Sequence, residues 1–236
     1  MTAAGEAFLP AARQALDAAE RARAEVAAAA GEIRGRLAIG AISTVAAVDL
    51  PSVLKEFHLR HREVRISVRT SPSEELTERV RQGALDVGFL GLPPGVRPQG
   101  VRCRELARGE LVVVVAPDHP LADHEHVNVR RPAEETFVDF PAGTAGRAHS
   151  DAAFVAAGVR REVAFEVTAV HLMDRLIRQD LGIGMLPAAF VPELADLPVV
   201  RLRDAPARIE HLIWSRHQPS PAAAAFLAVL GIGGEG

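Results

Sequence analysis

Between residues 37 and 91 the chain switches repeatedly between two hydrophobic spacings. Leu37-Ala-Ile-Gly-Ala-Ile42 is a short apolar run, a helix-periodic stretch led by Pro51 follows, and Val64-x-Ile66-x-Val68 alternates with period two. A second helix-periodic stretch then runs from Ser71-Pro-Ser-Glu-Glu75 to Gly83, and Leu85-Asp-Val-Gly-Phe-Leu90 closes the segment. The order is strand, helix, strand, helix, strand. Parallel strands need helical crossovers of this kind, so the segment commits the chain to an α/β fold. Hydroxyl residues stand at both strand-to-helix junctions, Ser43-Thr44 and Ser71 with Ser73. Those junctions fall at the carboxyl edge of the sheet, where open α/β sheets bind ligands. Small-molecule sensing is therefore a more natural reading than catalysis.

The helix expected over 50–61 has Pro51 in its first turn and an apolar stripe of Leu50, Val53, Leu54 and Phe57. The next helix is expected to begin with Ser71 as N-cap, Pro72 at the first helical position and Glu74 completing a capping box, and to end at Gly83. Two strands are expected over 101–106 and 111–116. The run Leu111-Val-Val-Val-Val115 reads as a strand buried on both faces, and Pro117-Asp-His-Pro120 breaks the pattern and marks a domain crossing. The same grammar then repeats: strand 137–140, the turn Pro141-Ala-Gly-Thr-Ala-Gly146, helix 147–157 and strand 162–167. Helix 170–180 follows with Leu172, Leu176 and Ile177 inward, then strands 182–187, 199–202 and 209–214, and a last helix capped by Ser220-Pro221. Two similar α/β lobes imply a cleft between them.

Residues 1–33 are alanine-rich and favour helix. Phe8, Ala12, Ala15, Ala19, Ala22, Val26, Ala29 and Ile33 recur in steps of four and three, a heptad seam made mostly of alanine. Two readings stand side by side: a dimerising helix, or a solvated helix packed on its own domain. Pro10 belongs near the start of such a helix or kinks it.

Composition excludes several classes. The 236 residues contain no apolar run approaching the roughly 18–20 residues of a bilayer span, so no membrane partner is expected. No secretory signal is visible, and a lone Cys103, read as a partly buried strand residue, fits a reducing, cytoplasmic setting. A net charge of −3 with basic and acidic residues interspersed lacks the signature of a free-standing DNA-binding domain. Catalytic signatures are missing: there is no Gly-x-Ser-x-Gly, no phosphate-loop lysine and no histidine recognisably partnering Cys103. Gly182-x-Gly184 lacks the third glycine of a dinucleotide fingerprint and reads as close backbone packing. His119, His124 and His126 lack a second anchored cluster, so neither a metal nor a cofactor is expected.

The chain resembles the LysR-type bacterial transcription regulators over nearly all its length. Met1-Thr-Ala-Ala-Gly-Glu6 with Phe8-Leu9 looks like the start of that family's linker helix. Leu37-x-Ile39-Gly40 with Ser43-Thr44, Leu50-Pro51 and Phe57 is similar to the first strand and helix of its regulatory domain. Gly83-x-Leu85-Asp86, Pro117-x-His119-Pro120-Leu121 and Gly182-Ile183-Gly184 with Leu186-Pro187 continue the match in order. The winged helix-turn-helix that precedes the linker in such regulators is missing here, so a truncation is expected, with DNA contacted only through that N-terminal domain. The resemblance implies a two-lobed fold of the type 2 periplasmic-binding-protein kind, preceded by a long helix. Carried over, 1–33 is the linker and dimerisation helix, 36–116 with 215–230 is lobe I, and 118–210 is lobe II. The crossings fall near 116–117 and 205–215.

Helix N-termini attract anions, and Ser and Thr hydroxyls supply pivoting donors. The resemblance puts Ser43, Ser73 and the Pro141–Thr144 turn where such regulators contact their effectors, so the candidate contacts are Ser43, Thr44, Ser73, Pro141, Gly143, Thr144 and Thr168, with Phe140 or Phe190 as an apolar wall. Ordinary helix capping is the competing role for each hydroxyl, above all for Ser71. Arg147 has two readings, a bidentate partner for an acidic effector or a solvated or dimer-contact side chain. The resemblance further implies a homodimer or homotetramer. Its second contact, involving Val53 and Phe57, would pair helix 50–61 and strand 64–68 of one lobe I with lobe II of another copy. The expected ligand is a small anion of carboxylate type. A stand-alone solute-binding protein and an enzyme on the same fold are the alternatives.

Overall fold

The computed structural model describes residues 22–194 and 196–232, together with residues 2, 4, 5, 8, 12 and 19. Strands β1 (Gly35–Ala41), β2 (Val64–Thr70) and β3 (Val87–Leu92) form the expected parallel set, with β1 between the other two. Helices α1 (Leu50–Arg60) and α2 (Ser73–Arg81) are the crossovers. Asp49 caps α1 by accepting from the Ser52 N–H at 3.2 Å. Phe57, expected as a dimer contact, instead lies fully buried under the sheet, edge-on to Phe226 at 5.5 Å between ring centres. The apolar stripe of α1 turns into its own core, and Val53 packs half-buried against the same cluster.

The capping box expected at α2 does not form. The Ser71 N–H bonds the Ala41 carbonyl at 3.3 Å, which carries the strand ladder one residue further and moves the helix start to Ser73. Pro72 becomes the N-cap, with no side-chain hydrogen bond to close that end.

A single strand, β4 (Val101–Val114), replaces the two expected over 101–106 and 111–116. Its first part pairs antiparallel with β10 (Ala207–Ser215) as far as Glu110. From Leu111 onward it pairs instead with β8 (Gly184–Pro187), and at Val113–Val114 also with β9 (Val199–Leu202). The large sheet therefore runs β2-β1-β3-β10-β4-β9-β5, where β5 is His126–Val127 and β8 also pairs with β4. Leu111, Val113 and Val115 face one core and Val112 and Val114 the opposite one, the period of two expected of a doubly covered strand. These residues pack with the second lobe, so the handover comes at Glu110 and Leu111 rather than at 116–117. The return lies at 203–206, between β9 and β10, because β10 pairs with β3 from Ile209 onward and its Leu212 and Ile213 are buried in the first lobe.

In the second lobe β6 (Thr136–Asp139) and β7 (Glu162–Glu166) pair in parallel, and Phe137 bridges to Ile183 ahead of β8. Helices α3 (Ala145–Ala156) and α4 (Val170–Arg178) cover this sheet. On α4 the buried stripe is Val170, Met173 and Ile177, while Leu172, expected inward, is exposed. A Cβ on Gly182 would stand 2.8 Å from the Thr136 carbonyl, which explains the glycine there by close backbone packing. Helix α5 (Pro221–Val229) returns to the first lobe, capped by Ser220, whose hydroxyl accepts from the Ala223 N–H at 3.2 Å.

Asp86 ties this frame together. Its carboxylate accepts from the Ala38 N–H at 2.7 Å and from the Ser220 hydroxyl at 3.3 Å, joining β1, the start of β3 and the cap of α5. Residues 22–29 are helical and end in a turn at Gly31, whose φ is +83°. Ala24 is buried, whereas Phe8, Ala19, Ala22 and Val26 of the expected seam are exposed and Ala12 is half-buried. Pro10 and Ala15 lie outside the described residues. Cys103, expected partly buried, is exposed on β4. Among the described residues no helix is long and apolar enough to cross a membrane.

Candidate ligand site between the lobes

Four strand-to-helix junctions converge on one cavity of about 580 Å³. From the first lobe come Ser43 and Thr44, after β1, and Thr70 to Ser73, between β2 and α2. From the second come Phe140, Pro141 and Thr144, before α3, and Thr168 to His171, at the start of α4. Leu111 at the β4 handover and Met185 and Pro187 of β8 supply apolar floor. Six of the seven expected contacts thus line one space: Ser43, Thr44, Ser73, Pro141, Thr144 and Thr168. Gly143 is not in the lining. Its φ of +84° serves the turn in which the Thr144 N–H meets the Pro141 carbonyl at 3.3 Å. Phe140 forms wall, whereas Phe190 is buried in the second lobe's core.

The hydroxyls fall into two groups. Thr44 accepts from Arg208 Nη2 at 3.1 Å, Ser73 is tied to the Gly91 backbone at 3.3 Å, and Thr144 caps α3 through the Arg147 N–H at 3.3 Å. The side chains of Ser43, Thr70, Ser71 and Thr168 have no protein hydrogen-bond partner among the described residues and are available to a ligand. Two helices, α2 and α4, begin at the cavity with no side-chain cap, so their first N–H groups point there unclosed.

The site also has ionisable members outside the expected contacts. Arg208 on β10 is buried and sits against Gly91, where a Cβ would lie 2.4 Å from its Nη2. Its Nη1 stands 3.4 Å from Glu210, which also accepts from the Ala46 N–H at 3.1 Å and the Ala47 N–H at 3.0 Å. Burial pushes the Arg208 guanidinium down from its ordinary value and Glu210 opposes this; the group stays a cation. His149 on α3 donates from Nε2 to the Ala207 carbonyl at 2.5 Å, linking the second lobe to the return strand. Burial holds this imidazole below its ordinary value, and the charge of Arg208 adds to the effect. The signal in the sequence is Arg208-Ile-Glu210, two charges with period two at the start of a largely apolar strand.

Arg147 does not serve the site. It pairs with Asp151 at 3.0 Å and Glu166 at 2.9 Å and is not in the lining. Beneath it Arg161 and Asp139 form a buried ion pair at 2.5 Å, with the Ser150 hydroxyl donating to Asp139 at 2.6 Å. Among the described residues no group of three or more His, Cys, Asp or Glu is placed to hold a metal. His119 instead accepts from the Leu121 N–H at 3.1 Å.

Two α/β lobes joined through β4 and through 203–206, with strand-to-helix junctions of both turned to one cleft, define the class: a two-lobed binding fold of the type 2 periplasmic-binding-protein kind. Within that class the chain belongs to the LysR substrate binding domain family, whose model matches residues 30–232. It is 32% identical over 188 residues to the HTH-type transcriptional regulator ShiR of Corynebacterium glutamicum, covering 78% of this chain and 63% of that one. The chain thus spans less than two thirds of that relative's length. Its fold is similar to the LysR family regulator CbnR, with a TM-score of 0.73 and 22% identity, covering all of this chain and 82% of that one. It is similar as well to the effector binding domain of QuiR in complex with shikimate, with a TM-score of 0.71 and 22% identity, covering 83% of this chain and 95% of that one.

Proposed function

We propose that this chain is the effector-sensing and oligomerising part of a LysR-type transcription regulator working in the bacterial cytoplasm. Its role in this reading is binding and transmission, not chemistry, and DNA recognition is assigned to none of the described residues. The observation that carries the proposal is the interlobe cavity, where uncommitted hydroxyls of both lobes, Ser43 and Thr70 of one and Thr168 of the other, share about 580 Å³. That volume suits a small organic molecule. A ligand touching both lobes has a different affinity for open and closed arrangements, and only that difference shifts the population between them.

The lobe division that fits the strand pairing is 35–110 with 207–232 against 111–203, with 22–33 leading in. The contacts assigned to effector are Ser43, Ser73, Pro141, Thr144 and Thr168, with Thr44 acting through Arg208. The N-terminal helix is assigned to self-association, because Phe8 and Val26 stand 71% and 74% exposed on the single chain. The relative named as a transcriptional regulator and the QuiR domain solved with shikimate support the same reading.

A thermal-shift screen of small organic acids, followed by calorimetry on any hit, tests the cavity. Ser43→Ala and Thr168→Ala are expected to weaken a hit without changing the midpoint of the free protein. Light scattering tests association: a monomer at micromolar concentration overturns the oligomerising half of the proposal.

A further inference from the structure

The cavity contains one buried cation whose compensation is incomplete. Arg208 is only 6% exposed, and Glu210, the one carboxylate within ion-pair distance among the described residues, is 3.4 Å away. Glu210 itself is shared with the N–H groups of Ala46 and Ala47, so its charge is not given to Arg208 alone. The other guanidinium bonds go to neutral oxygens of Thr44, at 3.1 Å to the hydroxyl and 3.3 Å to the carbonyl. A buried guanidinium with one distant carboxylate gains more from a second anion than a solvated one does. The guanidinium is part of the cavity lining, so an anion in the cavity can reach it. Gly91, lacking a side chain, lets the guanidinium lie against the β3 backbone, and the Ser73 hydroxyl ties Gly91 to the uncapped start of α2. An anion placed against Arg208 therefore also meets the positive end of that helix.

Resting on the cleft reading above, we infer that Arg208 is the residue that selects the ligand's charge: the effector is a small carboxylate whose carboxyl group seats on the Arg208 guanidinium beside the start of α2. Its body then lies toward Phe140, Leu111 and Met185 of the opposite wall. Because Arg208 sits on the return strand and also holds Thr44, a carboxylate that draws it from Glu210 acts directly on the segment joining the lobes and on the Thr44–Ala47 loop.

The test uses acids paired with their own amides as probes, benzoate with benzamide and shikimate with its carboxamide among them, by thermal shift and calorimetry on the whole chain. The expected result is that acids bind and their amides bind about tenfold or more weaker. Arg208→Gln is expected to weaken the best acid by a similar factor, and Arg208→Lys to retain part of the affinity. Gly91→Ala keeps the charge but displaces the guanidinium, and is expected to weaken the acid as well. It keeps the question answerable if Arg208→Gln does not fold. Equal binding of acid and amide, or an unchanged dissociation constant in Arg208→Gln and Gly91→Ala, overturns the role of Arg208 and leaves the cleft reading standing. Failure of every probe, charged or neutral, counts against both.

Discussion

Arg208 reaches from the return strand to Thr44 on the first strand-to-helix loop, its Nη2 3.1 Å from the threonine hydroxyl. The pairing spans 164 positions of sequence, and with it Glu210 fixes the N–H groups of Ala46 and Ala47. One edge of the cleft is thus set by the first residues of β10, next to the 203–206 joint between the lobes.

Removing the charge of Glu210 leaves Arg208 buried without a counter-ion. Glu210→Gln is expected to lower the unfolding free energy by about 3 kcal/mol, measured from urea midpoints with an unchanged slope. A loss under about 1 kcal/mol is the size of a solvent-screened pair and would contradict the burial of this one.

Asp86→Ala removes the acceptor for the Ala38 N–H and the Ser220 hydroxyl. The expected cost is about 1–3 kcal/mol, the penalty of an unmade bond at a shielded backbone donor. Hydrogen exchange at Ala38 should rise more than at Ile39, and equal protection at both would show that Asp86 is not the fastening point.

His149 and His211 are both held below the ordinary histidine value, chiefly by burial. In the unfolded chain each takes up a proton near pH 6.5 or so, whereas in the folded chain each resists until the pH is lower. The unfolded state therefore binds more protons across that window, so stability is full above about pH 6.5 and falls as the pH drops below it. His149→Gln should flatten that part of a stability-against-pH profile; a slope identical to the parent's would remove His149 from the account.

Phe57 and Val26 separate folding from association. Phe57→Ala opens a cavity beside Phe226 and is expected to cost about 3–5 kcal/mol, with the mass by light scattering unchanged under native conditions. Val26→Glu on the exposed helix face should leave the unfolding midpoint of the lobes in place and lower the mass. The reverse pattern would return Phe57 to the interface and deny it to the N-terminal helix.

Much of this architecture could be read from spacing alone. The alternation between 37 and 91 gave β1 to β3 and both crossovers, because each element's periodicity is local. At Ser71, at 107–110 and at the cavity hydroxyls, contact between distant segments overrides what the local spacing predicts. Ser71 has the sequence of a cap, but its N–H is taken by Ala41 across the ladder. The stretch Ala107-Arg-Gly-Glu110 reads as a break between two strands, yet β10 holds it as part of one. Thr44 and Ser73 line the cavity, but their hydroxyls are engaged by Arg208 and Gly91, neither of which lies near them in sequence. Arg208 precedes the strand that spacing predicts over 209–214, and nothing local marks it as facing a cleft.

The unbroken course of β4 from one lobe to the other has a mechanical consequence. Up to Glu110 the strand is laddered to β10 and from Leu111 to β8, so the chain passes between the lobes at two short joints, Glu110–Leu111 and 203–206. Turning of one lobe against the other is confined to a line through those joints, while sideways sliding would have to break the ladders on either side, so the cleft has a hinge line written into the backbone before any guest arrives.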